Sequence, residues 1–223
     1  MKKFNYRPVA CLSFLLFSQI LLNGQVPVSK EPLHRPVIEN KYIRLLDVNM
    51  KPGDTSLFHI HATPSVFLHF TNAFISSQVK GDKWIKEQAV PGKAWFRLFS
   101  PDTLIHRVSN IDTIPFHVTD IEILSSYDLK FHREPLPYNL LFENDKVFAY
   151  RLTYADLNNQ IVQDRGPMIA ELVSGDDVTF HDIPSDEKRE IKAGQYLYIP
   201  PGSYFSFTAK KDEKISLVLF EIR

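Results

Sequence analysis

The stretch Gly53-Asp54-Thr55-Ser56-Leu57-Phe58-His59-Ile60-His61 decides how this chain is read. It opens on Lys51-Pro52-Gly53-Asp54, a turn signal, because proline presets φ while glycine and aspartate tolerate the conformations turns require. A short β-strand follows, and Ala62-Thr63-Pro64 ends it. Histidines at i and i+2 on a strand project to one face. Two imidazoles aimed into one space either repel each other when protonated or hold something together. The natural occupant is a divalent transition metal. A third histidine, His106, lies downstream in Pro101-Asp102-Thr103-Leu104-Ile105-His106-Arg107-Val108-Ser109-Asn110. We read His59, His61 and His106 as sharing one site inside a β-barrel.

The flanking sequence supports an all-β chain. Lys41 to Met50 carries Tyr42, Ile43, Leu45, Leu46 and Val48, and Ser65 to Thr71 carries Val66, Phe67 and Phe70. Trp95 to Phe99, Leu104 to Val108 and Phe116 to Leu124 are further strands, and strand signals resume from Leu141. Proline, glycine and Asn/Asp clusters recur between them, and no amphipathic helix of useful length appears. Many short strands so punctuated make a sandwich or barrel. The second half also echoes the first. Ile38-Glu39-Asn40-Lys41-Tyr42-Ile43 resembles Phe142-Glu143-Asn144-Asp145-Lys146-Val147. Pro64-Ser65-Val66 resembles Pro167-Met168-Ile169, and Ile121-Glu122-Ile123 resembles Phe220-Glu221-Ile222. Three collinear matches at offsets of about 100 residues argue for a duplicated β-unit.

The chain begins with Lys2, Lys3 and Arg7, followed by an apolar run from Pro8 to Leu22. That order reads as a secretory signal peptide, expected over residues 1–24; the run is short for a membrane span, which leaves an uncleaved signal anchor as the lesser alternative. The expected location is therefore periplasmic or secreted, without stable membrane insertion after cleavage. Cys11 is the single cysteine and falls inside this leader, so the mature chain has no disulfide and no thiolate ligand. The whole sequence balances 26 basic against 26 acidic residues. Losing the leader's three basic groups leaves a charge of about −3, which gives no electrostatic case for nucleic acid. A small-molecule ligand is the default partner. Residues 25–38, with Pro27, Pro32 and Pro36, are expected to form an extended arm.

The motifs resemble those of the cupin superfamily, small double-stranded β-helix barrels. In the first motif Gly53, His59 and His61 stand at the family's spacing, while Ser65 and Val66 occupy the positions of its glutamate. In the second motif Pro101, His106 and Asn110 match, with Thr103 where glycine is usual. Gly194, Pro200 and Gly202 repeat that second motif in the other half, but Phe205 replaces its histidine, and Ile161 to Arg165 offers no histidine pair. The resemblance implies two tandem cupin-type, jelly-roll-like barrels. The first, over 39–125, would be the metal half; the second, over 141–223, would have no ligands, with a linker over 126–140. It also implies a homodimer as a possible assembly.

Three imidazoles with open positions suit Fe, Zn, Mn, Ni or Cu, and the ligand set does not choose among them. Without a carboxylate the site would keep the full charge of the ion. Some members of the superfamily, the thiol dioxygenases, use three histidines, so the resemblance leaves iron open. Two functions follow. One is a metal-dependent enzyme of oxygenase, isomerase-like or lyase-like type, whose catalytic residues the sequence does not identify. The other is a non-catalytic cupin that binds or senses a small molecule. The bland alternative to both is an inert barrel carrying remnant histidines. His69 shares the parity of Ser65 and can face the interior, although a satisfied core or surface histidine is the simpler expectation. His34, His117, His132 and His181 have no partner at ligand spacing and are expected on the surface or in loops. Trp95, Phe96 and Phe99 either wall a pocket or are plain core. Arg97 and Arg107 could bind an anionic substrate, but Arg107 should point away from the cavity by parity with His106, and Asn110 should close the turn after its strand.

Overall fold

The computed structural model describes residues 25–127, 134–158, 160–212 and 214–223. The expected leader over 1–24, with Cys11, and also His132, lie outside the described residues. The first half contains β1 (Val26–Pro27), β2 (His34–Glu39), β3 (Ile43–Met50), β4 (His59–His61), β5 (Ser65–His69) and β6 (Phe74–Val79). It continues with β7 (Ile85–Gln88), β8 (Ala94–Arg97), β9 (Leu104–Asn110) and β10 (Phe116–Ile123). These strands form two sheets, ordered β1-β4-β9-β6-β7 and β2-β3-β10-β5-β8.

The second half contains β11 (Asn139–Glu143), β12 (Val147–Leu152), β13 (Ile161–Val162), β14 (Met168–Ser174) and β15 (Val178–Asp182). After them come β16 (Glu187–Ile191), β17 (Tyr196–Ile199), β18 (Phe205–Ala209) and β19 (Ser216–Ile222). Its sheets run β11-β12-β19-β14-β17 and β13-β18-β15-β16. Strand for strand this repeats the first half, as the internal echo suggested. Among the described residues β1 has no counterpart: it is an added strand, paired in parallel with β4.

The proline-containing segment before residue 39 is built into the first barrel. β2 pairs along the edge of β3, with a register shift between Pro36 and Ile38. An edge bulge is where a strand tolerates a residue with no N–H to donate. Val28 is buried, and the Glu31 carboxylate receives the Leu33 and Leu57 amides at 2.7 and 3.0 Å. The segment therefore runs through a short 3-10 turn (Val28–Lys30) into β2 and is docked along its length.

Three apolar cores result. One lies inside the first barrel, around Val48, Met50, Phe67, Ile75, Phe116 and Val118. One fills the second barrel with large side chains, including Tyr150, Phe180, Phe205 and Phe207. The third lies between the barrels, where β3, β5 and β10 present Leu45, Leu68 and Ile121, and β12, β14 and β19 present Ala149, Ile169 and Phe220. This back-to-back packing follows from period-two alternation in strands buried on both faces.

Candidate metal centre

A single turn sets the site's register. Gly53 has φ +84° with open space around it, so the backbone conformation, rather than crowding, requires glycine there. Its amide donates to the Asn110 carbonyl at 3.0 Å, and the Asn110 amide donates to the Asp54 carbonyl at 2.9 Å. The buried Asn110 side chain closes the following turn, donating to the Met50 and Ile114 carbonyls at 2.9 Å each. So tied, β9 meets β4 with His106 directly opposite His59.

The three sequence-predicted histidines converge. Ring centroids lie 4.6 Å apart for His59 and His106, and 5.0 Å apart for His59–His61 and for His61–His106. The Nε2 atoms of His61 and His106 are 3.0 Å apart. A fourth imidazole, not expected from spacing, joins them. His34 on β2 is buried, its ring 4.4 Å from that of His59 and 6.3 Å from that of His61. His34, His59 and His61 each offer a ring nitrogen, all within 4.8 Å of one another, so these three can hold a metal ion. The surface reading of His34 is therefore wrong. Docking of β2 against β3 carries it inside, and no local spacing encodes that long-range pairing.

Hydrogen bonding orients the rings. His59 Nδ1 donates to the Leu57 carbonyl at 2.9 Å, which leaves Nε2 buried and without a partner. His34 Nδ1 donates to Glu31 Oε2 at 2.6 Å. Burial alone would raise Glu31, but the bonds from His34 and from the Leu57 and Leu33 amides outweigh it and hold the carboxyl below its usual range. Glu31 is thus a carboxylate that fixes the tautomer and turns the other nitrogen of His34 inward. His61 Nδ1 faces Asp120 Oδ2 at 3.4 Å, and neither Asp120 oxygen has a hydrogen-bond partner among the described residues. Phe99 stacks on His61 at 5.0 Å and 16°. It does so from φ +57°, a strained backbone for a bulky residue and a mark of a constrained site.

Burial pushes His59 down to about 3, reinforced by His34 and His61. It pushes His106 down to about 2, reinforced by His59, His61 and His34. Both are therefore neutral at physiological pH, the form that ligates metal. An unpartnered buried Nε2, neutral imidazoles and Nδ1 atoms facing acceptors together fit a borderline divalent transition ion. The missing glutamate ligand holds in the structure, but carboxylates stand just behind the rings. Ser65 is indeed buried where the resemblance places a glutamate, its hydroxyl donating to the Thr63 carbonyl at 3.1 Å. Yet Glu31 and Asp120 each stand one imidazole away.

His34, His61 and His106 of the cluster line one end of a cavity of about 510 Å³ inside the first barrel. Phe67, Trp95, Phe116, Val118 and Leu104 supply much of the wall. Trp95 is therefore a pocket wall, Phe96 packs toward the core between the barrels, and Phe99 backs the histidines. His69 faces the cavity, buried, with Nδ1 unpartnered, so it is not a satisfied core histidine. Arg107 points away, as parity required, donating to Gln78 Oε1 at 2.8 Å and lying over Phe58 and Trp84. His117 and His181 pair with Asp47 and Asp186 at 2.8 and 2.7 Å, away from the histidine cluster.

Among its described residues the second barrel has no such site. β13 pairs β18 with Val162 opposite Phe205, where the first barrel has His59 opposite His106. Both second-barrel residues are buried in the apolar core.

Comparison with solved structures agrees with this architecture. AerE from Microcystis aeruginosa superposes with a TM-score of 0.56 at 11% identity, over 86% of this chain and 98% of that one. Ylba from E. coli gives 0.56 at 9% identity, over 85% and 87%. A cupin 2 conserved barrel domain protein from Leptotrichia buccalis gives 0.55 at 8% identity, over 85% and 88%. The fold is that of a cupin, in two copies. A salicylate 1,2-dioxygenase from Pseudaminobacter salicylatoxidans shares this cupin fold, with a TM-score of 0.52 at 11% identity over 81% and 71%. No family model and no curated protein matches the sequence. Among the described residues, no helix is long and apolar enough to cross a membrane.

Proposed function

We propose that this is an exported cupin whose first barrel binds a divalent transition metal and acts on a small molecule in the adjoining cavity, by chemistry of the oxygenase type. The single observation that carries the reading is the buried cluster His34, His59, His61 and His106, with the unpartnered Nε2 of His59 aimed into it. His59, His61 and His106 would be the core ligands and His34 a fourth. When bound, such an ion supplies Lewis-acid or redox chemistry. The chain's own part is to hold ring orientation through Glu31, the Leu57 carbonyl and Asp120, and to keep water from the apolar wall. To ligate through Nε2, His61 and His106, whose Nε2 atoms are 3.0 Å apart, would both carry their ring proton on Nδ1. Export is supported by the basic and apolar leader. The similarity to a dioxygenase of the same fold is consistent with the chemistry but does not carry it.

A specific observation favours the second reading, a non-catalytic metal or ligand binder. Four imidazoles can saturate a tetrahedral ion, as closed structural sites do, whereas three leave a position for substrate. Metal content of the purified protein after refolding with Fe, Mn, Ni, Cu and Zn in turn tests the common premise. About one equivalent is expected, and less than about a tenth of an equivalent for every ion sinks both readings. His59→Ala and His61→Ala should each abolish retention. The contrast between His34→Ala and His106→Ala then decides the ligand count. If His34→Ala keeps the metal and oxygen uptake with small-molecule panels persists, the open, three-ligand enzyme stands.

A further inference from the structure

The cavity's walls say what it takes. Strand β8 pairs with β5 so that Arg97 lies opposite Ser65 and Trp95 opposite Phe67. By the two-residue period, Lys93, Trp95 and Arg97 share the cavity face, and all three line it. Trp95 stacks on Phe67 at 4.9 Å and 12°, and meets the edge of His69 at 4.8 Å and 67°. That forms a flat apolar wall. Lys93 and Arg97 are exposed and mark the opening. Arg97 lies over Phe99 at 4.9 Å, and Phe99 in turn backs His61, so this guanidinium stands at the histidine end. Lys93 lies 6.0 Å from the Trp95 ring at the other end. Neither cation has an ion-pair partner among the described residues, although Glu87 on β7 also borders the opening. At the inner end His69, 94% buried by its 6% exposure, lines the cavity, and its Nδ1 has no hydrogen-bond partner. The buried Asp120 carboxylate also lines the cavity, on the far side of His61; at the opening, two unpaired cations beside a largely apolar wall match an amphipathic anion.

We propose that the cavity takes a small organic carboxylate, its apolar body lying against Trp95 and Phe67 and its carboxylate held by Arg97 at the histidine end. A guanidinium suits this role because its planar fork can meet both oxygens of a carboxylate. His69 is placed to exchange one hydrogen bond with a polar substituent on the body, and Lys93 adds positive potential along the wall. This deepens the reading of the cavity as the working site of the first barrel, but it does not require the metal.

The test is calorimetric titration of the purified protein with 3-phenylpropionate and with its neutral amide, 3-phenylpropanamide. Each is run on metal-loaded and on chelator-treated protein. The acid should bind at least about tenfold more tightly than the amide in both states, the gain expected from a charge-assisted contact. Arg97→Gln should bring the two affinities together while leaving that for the amide unchanged. Arg97 is exposed, so the variant should fold, and an unchanged circular dichroism spectrum would verify that. Equal binding of acid and amide, no binding of either at millimolar concentration, or a preference that survives Arg97→Gln would each overturn the proposal. So would a preference that disappears on chelation, since the carboxylate would then be held by the metal. A protein that takes up no metal yet keeps an Arg97-dependent preference would overturn the metal reading and uphold this one.

Discussion

Glu31 and Asp120 would act on the proposed metal centre without occupying it. Each faces the Nδ1 side of a ligand histidine, at 2.6 Å from His34 and 3.4 Å from His61. Carboxylates in that position raise the basicity of imidazole and fix its orientation. Glu31→Gln and Asp120→Asn should therefore each weaken metal affinity by about 10–100-fold, measured by competition with a chelator of known affinity. Wild-type affinity in both variants would mean that the rings are held by packing alone. The same two residues mark the limit of what the sequence conveys. His59, His61 and His106 were legible because ligand spacing on strands is a local property. His34 and Glu31 reach the site through long-range pairing of β2, which leaves no spacing to read. Asp120 did leave a trace. Phe116, Val118 and Asp120 share one face of β10, and a carboxylate continuing an apolar inward face is a signal in itself.

At the level of elements, the segment from β1 to β2 is part of the site. Its short 3-10 turn buries Val28, and its Glu31 accepts the Leu57 amide from the segment leading into β4. Val28→Asp would bury a charge and undock the segment while leaving every ligand residue in the chain. The expected result is metal retention reduced by at least about tenfold, together with new proteolytic cleavage before residue 39. Intact retention with cleavage would place His34 outside the coordination sphere. The strand pattern of both barrels was readable because alternation and turn residues repeat in each half. Pairing of the proline-rich segment was not, since Pro36 argues against a strand until the edge bulge is seen. β18 makes the opposite use of its equivalent position, where Phe205 packs against Phe180 and Phe207 with centroids 5.4 Å away in each case. Phe205→Ala should cost about 3–5 kcal/mol in a urea melt and leave the metal content unchanged. A change in metal content would show that the silent barrel shapes the active one.

Across the whole molecule, the packing between the barrels carries a titratable group. Glu171 on β14 is fully buried there, and Thr119 on β10 donates to it at 3.0 Å. Burial pushes its carboxyl up to about 8 from an ordinary 4.5, with the Thr119 bond opposing and Asp47 adding to the rise. The folded chain thus holds this proton more tightly than the unfolded chain. The resulting stability is fully present below about pH 4.5 and is lost as pH rises through about 8. Glu171→Gln should therefore match the wild type near pH 5 and exceed it by a few kcal/mol near pH 9, in urea melts at both. A difference that does not change with pH would refute the assignment. The apolar layer around Glu171 has one more consequence. Two separate single-barrel chains would have to meet by diffusion to make it, whereas here both faces belong to one polypeptide. Dilution cannot dissolve that contact, so the midpoint of thermal unfolding for this layer should be independent of protein concentration.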